Sequence, residues 1–170
     1  LQSGDQIDLV DGNGGFYRAM VINPHPKRCE VEVISFRQEF GKRNYRIHIA
    51  IAPTKNIERL EWFAEKATEI GIDEITPFTG RFSERKVIKP ERLEKILVSA
   101  MKQSKKAYLP KLNPLCSFQE WIRQPHSGQL YIAHCYENEK KYLHQVYTPG
   151  KDALVLIGPE GDFSPEEVEL

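Results

Sequence analysis

The residue types best suited to chemistry gather in one short stretch, Ile157-Gly158-Pro159-Glu160-Gly161-Asp162-Phe163-Ser164. An apolar run, Leu154 to Ile157, leads into it. Ser164-Pro165-Glu166-Glu167 leaves it as a capping box with proline at the first helical position. A buried strand, a bend with two glycines and a helix start, in that order, put the bend at the carboxyl end of a strand. Parallel sheets bind their ligands there. Gly158 and Gly161 would let main-chain N–H and C=O groups come close to a bound molecule. The bend has neither GxGxxG nor GK[ST], which excludes a dinucleotide fingerprint and a P-loop. An ordinary strand-to-helix turn would carry the same letters.

Other candidates are weaker. His134-Cys135 closes an apolar strand, but no Ser/His/Asp or Cys/His spacing accompanies it, so it reads as a packed strand end. Cys29, Cys116 and Cys135 lie far apart with no CxxC, which argues against a disulfide framework and a zinc site and for a reducing, cytoplasmic setting. Gly12-Asn13-Gly14-Gly15 has strands on both sides and reads as a hairpin turn. His25, His48, His126 and His144 are scattered and read as structural or solvated. Trp62 and Trp121 fall in helices and read as packing residues.

The chain of 170 residues carries 24 basic and 24 acidic side chains, a formal net charge of zero. With 40% hydrophobic residues it is globular rather than disordered, and it has no run long enough for a membrane span and no visible signal peptide. The neutrality hides an asymmetry. Thr79 to Lys111 holds ten basic residues against three acidic ones, whereas Asp152 to Leu170 holds six acidic residues and no basic one. The basic stretch points to a polyanion-facing surface; a solvated helix face laced with Glu/Lys pairs is the alternative.

Two textures position these residues. Residues 1–42 alternate strands and tight turns: Gln6 to Val10, Phe16 to Ile22 and Arg28 to Phe36, the last with Val31, Val33 and Ser35 on one face. They form a small antiparallel unit that buries too little to stand alone. After a linker around Glu39 to Asn44, residues 45–170 alternate strands and helices, which predicts a mostly parallel sheet covered by helices. Ile47 to Ala52, Asp73 to Phe78, Leu130 to Ala133 and Ala153 to Ile157 read as buried strands. Asn56 caps a helix with Ile57, Leu60, Phe63, Ala64, Ala67 and Ile70 inward, and Gly71 ends it. Pro90 opens a second helix, with Leu93, Ile96, Leu97 and Ala100 inward and Arg92, Lys95, Lys102 and Lys105 outward. Ser117-Phe118-Gln119-Glu120 reads as another capping box.

The order of these segments resembles the bacterial ribosomal RNA methyltransferases that modify ring nitrogen N3 of a uridine in 16S rRNA, members of the SPOUT, or α/β-knot, superfamily. The matching stretches are Gly4-Asp5 with Leu9-Val10-Asp11-Gly12, Glu65-Lys66-Ala67-Thr68-Glu69-Ile70-Gly71, Ser83-Glu84-Arg85-Lys86, Gln103-Ser104, and Ile157-Gly158-Pro159-Glu160-Gly161 followed by Phe163-Ser164. Together they span nearly the whole chain. The resemblance implies a PUA-like barrel at the N-terminus and a SPOUT methyltransferase domain after it. It also implies a trefoil-knotted pocket for S-adenosylmethionine, a homodimer and 16S rRNA of the small ribosomal subunit as partner. His134, Leu156, Ile157, Gly158, Pro159, Glu160, Gly161 and Phe163 would line the cofactor pocket. The family's Leu-Gly-x-x-x-Leu-Arg-like segment, which completes the knot, and the opening strands of its barrel are not in these residues. Asp162 stands where many members have a second glycine.

The chemistry this implies is an in-line methyl transfer governed by positioning and electrostatics. The uridine ring nitrogen must lose a proton, and a nearby cation would stabilise the anion; Arg85 and Lys66 are candidates, and the arginine of the family's knot-completing segment is another. The target base would leave its stack to react. Arg81, Arg85, Lys86, Lys102 and Lys105 would meet phosphates. Two other classes fit the pattern: an RNA-binding scaffold whose pocket is unused, and a nucleotide-binding metabolic α/β enzyme.

Overall fold

The structure, a computed structural model, describes residues 1–137 and 141–170. Strands β1 (Gln6–Val10), β2 (Phe16–Asn23) and β3 (Glu30–Arg37) form an antiparallel sheet in that order. The β1–β2 turn is fixed from within. Asp11 Oδ1 accepts the N–H groups of Asn13 at 2.7 Å and Gly15 at 2.9 Å, as Asx turns do. The same turn docks on the second unit. Gly14 N–H donates to the Ala107 carbonyl at 2.8 Å, and Leu109 N–H donates to the Gly12 carbonyl at 2.9 Å. The small sheet, thin on its own, thus gains partners where it touches its neighbour. Phe16, Ala19 and Val21 are its buried residues. On β3 the alternation is lost: Val33, Ile34 and Phe36 are all exposed, because the register slips at two places along the β2–β3 pairing.

The second unit is built on a parallel sheet. Its strands are β4 (Ile47–Ile51), β5 (Glu74–Thr79), β6 (Lys111–Leu112), β7 (Cys116–Ser117), β8 (Gln129–Ala133) and β9 (Ala153–Ile157). They lie in the order β6-β5-β4-β9-β8, with β7 also paired to β5. Helices α1 (Ile57–Ile70) and α2 (Pro90–Gln103) cover one face. Leu60, Ala64, Ala67, Leu93 and Leu97 pack there on Ile51 and Ile75. The short α3 (Phe118–Ile122) and α5 (Pro165–Glu169) lie on the other face with Ala50, Phe78, Leu154, Leu156 and Phe163. A one-turn α4 (Leu143–Val146) precedes β9. After β5 the chain adds strands outward on one side of β4; after β7 it crosses to β8 and returns to insert β9 beside β4. The direction of winding reverses between β4 and β9, so the switch point faces the carboxyl ends of these two strands.

Local signals set the ends of α1. The Asn56 side chain accepts the Glu58 N–H at 3.0 Å, and Gly71, at φ 110°, closes the helix by donating its N–H to the Ala67 carbonyl at 2.9 Å. Three expectations need correction. Ser117 makes no side-chain cap bond; it belongs to β7 and its backbone is already paired with Thr79. The β8 strand is an edge, with Leu130 half-exposed, and not a buried strand. Trp62 is 64% exposed and Ile70 is exposed too, both turned away from the sheet on α1, so neither packs in the core.

On the α3 face, toward the amino ends of the strands, a cavity of about 440 Å³ is lined by His48, Glu74, Thr76, Asn113, Trp121 and His126 among others. His48 Nε2 lies 2.7 Å from Thr76 Oγ1, and Asn113 Nδ2 donates to the same oxygen at 2.7 Å. Burial holds the His48 imidazole below its ordinary pKa of 6.5, against the opposing pull of Glu74. No helix among the described residues is long and apolar enough to cross a membrane.

Two outcomes test this fold. Gly71→Ala should lower stability by about 1 kcal/mol in urea unfolding with an unchanged m-value, because an added Cβ meets nothing closer than 3.6 Å and only the positive φ resists it. The depressed His48 pKa means the unfolded chain takes up the proton first. Its contribution is therefore full above 6.5 and is lost as the pH falls through the lower folded value. Thermal melts should show a decline below 6.5 that is shallower in His48→Gln; an identical pH dependence in the variant would refute the assignment.

Candidate functional site

The loops leaving four strands meet at the carboxyl end of the sheet: 52–55 after β4, 80–86 after β5, 134–136 after β8 and 158–164 after β9. Their mutual position is fixed by carboxylates of the last segment. Glu160 Oε1 accepts the Lys55 N–H at 2.9 Å, Asp162 Oδ2 accepts the Cys135 N–H at 2.6 Å, and Glu167 Oε1 accepts the Arg81 N–H at 2.7 Å. One segment thereby holds all three neighbouring loops. Arg85 adds a cross-tie, donating from Nε to the Thr54 carbonyl at 3.0 Å and from Nη2 to the Lys55 carbonyl at 2.6 Å. Tyr136 Oη donates to the Phe163 carbonyl at 2.7 Å.

An apolar anchor seats the segment. Phe163 is fully buried, with its ring centroid 5.9 Å from that of Phe78 and 5.4 Å from that of Phe118. Immediately after it the capping box forms as read from the sequence: Ser164 N–H donates to Glu167 Oε2 at 2.9 Å, and Glu167 N–H donates to Ser164 Oγ at 3.3 Å. Glu167 is buried but fully used, its other oxygen taking the Arg81 amide.

The glycines have a different use from the one their spacing suggests. Neither Gly158 nor Gly161 has a positive φ; the left-handed residue of the bend is Asp162, at φ 65°. A Cβ on Gly158 would lie 3.0 Å from the Phe163 ring, and one on Gly161 would lie 2.9 Å from Phe82 Cβ. Both glycines are needed for close packing of the bend on its own protein. Asp162 tolerates the left-handed conformation because its carboxylate bonds locally, with Oδ1 accepting the Phe163 N–H at 2.8 Å.

The residues expected to line a cofactor pocket divide accordingly. His134, Gly158, Pro159, Glu160 and Gly161 lie in the converging loops. Leu156 and Phe163 are interior, and Ile157 joins the strands through its carbonyl, which accepts the Ala52 N–H at 2.9 Å. His134 Nδ1 is the one buried side-chain nitrogen or oxygen among the described residues without a hydrogen-bond partner. A buried polar atom of this kind fits a site that a ligand completes. Cys135 is exposed and is not the packed residue expected there. Of the candidate cations, Arg81, Arg85 and Lys86 follow β5 at this end. Lys66 lies in the second half of α1, which runs back toward the amino ends of the strands, and pairs with Glu65 at 2.7 Å and Glu69 at 3.1 Å. Lys102 and Lys105 lie at the far end of α2. Sequence reading named Glu160 for the cofactor pocket and Glu167 for the capping box but missed the amide-holding role of all three carboxylates, because contacts between remote loops leave no local pattern.

A family model described as an RNA methyltransferase domain matches residues 41–170, and one described as an RNA methyltransferase PUA domain matches residues 1–34. The chain belongs to the RNA methyltransferase family. Its relatives include the ribosomal RNA small subunit methyltransferase E of Rickettsia conorii, 24% identical over all of this chain and 69% of that protein. Among solved structures, a probable rRNA-methyltransferase from Porphyromonas gingivalis is 44% identical with a TM-score of 0.89, over 99% of this chain and 72% of that one. The ribosomal RNA small subunit methyltransferase E of Neisseria gonorrhoeae, solved bound to S-adenosyl methionine, is 22% identical with a TM-score of 0.84, over 99% of this chain and 71% of that one. In this RNA methyltransferase, then, the amide-holding carboxylates shape the loop cluster of a transferase fold.

The clamp at Asp162 can be tested apart from backbone strain. Both Asp162→Ala and Asp162→Gly should raise amide exchange at Cys135 roughly tenfold, about 1.4 kcal/mol of local opening. Glycine relieves the φ of 65° but supplies no acceptor. Unchanged exchange in Asp162→Gly would show that the carboxylate does not hold the β8 loop.

Proposed function

We propose that this RNA methyltransferase transfers the methyl group of S-adenosylmethionine to ring nitrogen N3 of a uridine in 16S rRNA. The observation that carries the reading is the convergence of four strand-end loops on the segment Gly158 to Glu167, with the unpartnered His134 Nδ1 among them. The relatives named for small-subunit ribosomal RNA, and the related fold solved with S-adenosyl methionine, support it.

The sulfonium of S-adenosylmethionine supplies an activated methyl group. The protein's part is to hold and to polarise. Main-chain groups of 158–161, kept in place by the Glu160 and Asp162 contacts, would grip the donor, and His134 Nδ1 would gain a partner from it. Uridine N3 carries a proton at neutral pH, and its loss leaves negative charge on the flanking carbonyl oxygens. Arg85, already oriented by the Thr54 and Lys55 carbonyls, is the cation we assign to that charge. Lys66 is less suited, being engaged with two glutamates on α1. Arg81 and Lys86 would meet the phosphates on either side of the flipped nucleotide. We also assign the protein to the cytoplasm and to a homodimer.

The decisive measurement is methyl incorporation into small ribosomal subunits that lack the modification, with mass spectrometry placing the label on a uridine base. Arg85→Gln should slow transfer on the order of a hundredfold while the calorimetric Kd for S-adenosylmethionine moves much less. No heat with the donor and no labelled uridine would reject the proposal, and retained RNA binding alone would favour a scaffold.

A further inference from the structure

The basic stretch of the sequence does not form one surface. Helix α2 spans 14 residues, about 21 Å at 1.5 Å per residue, and runs from the carboxyl end of the sheet back to its amino end. Arg81, Arg85 and Lys86 stay at the loop cluster; Lys105 and Lys106 are carried to the junction with the N-terminal sheet. There a crevice of about 310 Å³ is lined by Lys42, Arg46, Lys105 and Lys106 together with Tyr45 and Tyr108.

The charges in this crevice are layered. Lys105 Nζ lies 2.8 Å from Asp8 of the small sheet, with the lysine side chain 67% exposed and the aspartate 22%. Arg46 Nη2 lies 2.9 Å from Glu74, with exposures of 63% and 13%. In these two pairs the carboxylate sits beneath and the cation faces water; Lys42 differs, because its partner Glu39 is as exposed as it is, 59% against 57%. Lys106 forms no ion pair among the described residues. The Arg43 guanidinium lies over the Tyr45 ring, 5.1 Å from its centre.

A second observation points to Lys105. It has φ 52° and ends α2 in the left-handed conformation that glycine adopts at no cost. Lysine has no local hydrogen bond with which to ease that conformation, as an asparagine or aspartate would. A strained cation at a junction is the kind of outlier from which a functional role is argued.

We infer that this junction crevice is a second RNA contact, taking the phosphate backbone of single-stranded RNA on Arg46, Lys105 and Lys106. It rests on the reading of the protein as an enzyme acting on RNA, and extends it to a surface one strand length, roughly 17 Å, from the loop cluster. Two separated contacts would hold the RNA on both sides of the reacting nucleotide.

The test uses the whole protein, a fluorescein-labelled oligouridylate and a salt series. The double variant Lys105→Gly, Lys106→Gln should bind the RNA roughly tenfold more weakly, and the slope of log affinity against log salt should shrink by about 1.4, or about 0.7 for each phosphate no longer neutralised. Because glycine suits position 105, Lys105→Gly alone should keep or raise the melting temperature while still losing affinity, which a purely structural role would not do. Lys95→Gln, on the outer face of α2, should change neither reading. An unchanged slope in the double variant overturns the inference, as does an equal loss in Lys95→Gln. Heat of S-adenosylmethionine binding is read on the same preparations, so failure of the methyl-transfer reading is seen separately and the RNA slope alone decides the crevice.

Discussion

Loops at the ends of parallel strands carry main-chain N–H groups that the sheet no longer pairs, and each needs an acceptor. Here the acceptors come from one place. Glu160, Asp162 and Glu167 each take an amide from a different loop, and Asp152, at the start of β9, takes the Arg46 N–H at 2.8 Å. Bonds from amides to carboxylates are stronger than neutral ones, and these join segments that would otherwise move independently. The arrangement holds only because the segment itself cannot drift: the buried Phe163 ring fixes it from below, and the Ser164–Glu167 box fixes it from behind. Remove the anchor and the three amides lose their common acceptor at once.

The acidic end of the sequence therefore has an explanation that net charge does not give. Four of its six acidic residues are spent on backbone amides of other segments. A basic residue in their place would leave those amides without acceptors and add a donor that also needs one. Opposite charge is placed differently. The lysines and arginines of Thr79 to Lys111 are mostly exposed, and where Arg92, Lys105 and Lys111 pair, the carboxylate partners Glu61, Asp8 and Glu74 are the more deeply placed. A chain with zero formal charge thus turns much of its acid inward to build loops and its base outward to meet solvent or a polyanion.

Features set by neighbours in sequence were readable. Asn56 and Gly71 bound α1 and Ser164 with Glu167 opens α5, because caps are contacts within a few residues. The alternation of strands and helices gave the parallel sheet for a similar reason. What was not readable depends on distant partners. Ser117 carries the letters of a cap but is taken up by pairing with Thr79. The apolar run of β8 cannot report that it lies at an edge. Trp62 has the composition of a core residue and the orientation of a surface one. At the site, the two glycines drew attention as a route to a ligand, whereas Phe163 and Phe82 are what demand them. The residue in the unusual conformation is Asp162, which no glycine signal marks.

A linear run of charge says little about a surface when a helix divides it. Fourteen residues of α2 separate Arg85 and Lys86 from Lys105 and Lys106 by the full height of the sheet. That height is also what separates the loop cluster from the junction of the two units, where the Asp11–Gly15 turn docks on Ala107 and Leu109. The end of α2 thus meets two demands together: it must supply the backbone on which the small sheet rests, and it carries the cations of the junction. Lys105 stands where they conflict, in a conformation costly to lysine yet with its ammonium on Asp8 of the small sheet. A glycine would satisfy the helix end and forfeit both the tie and the charge.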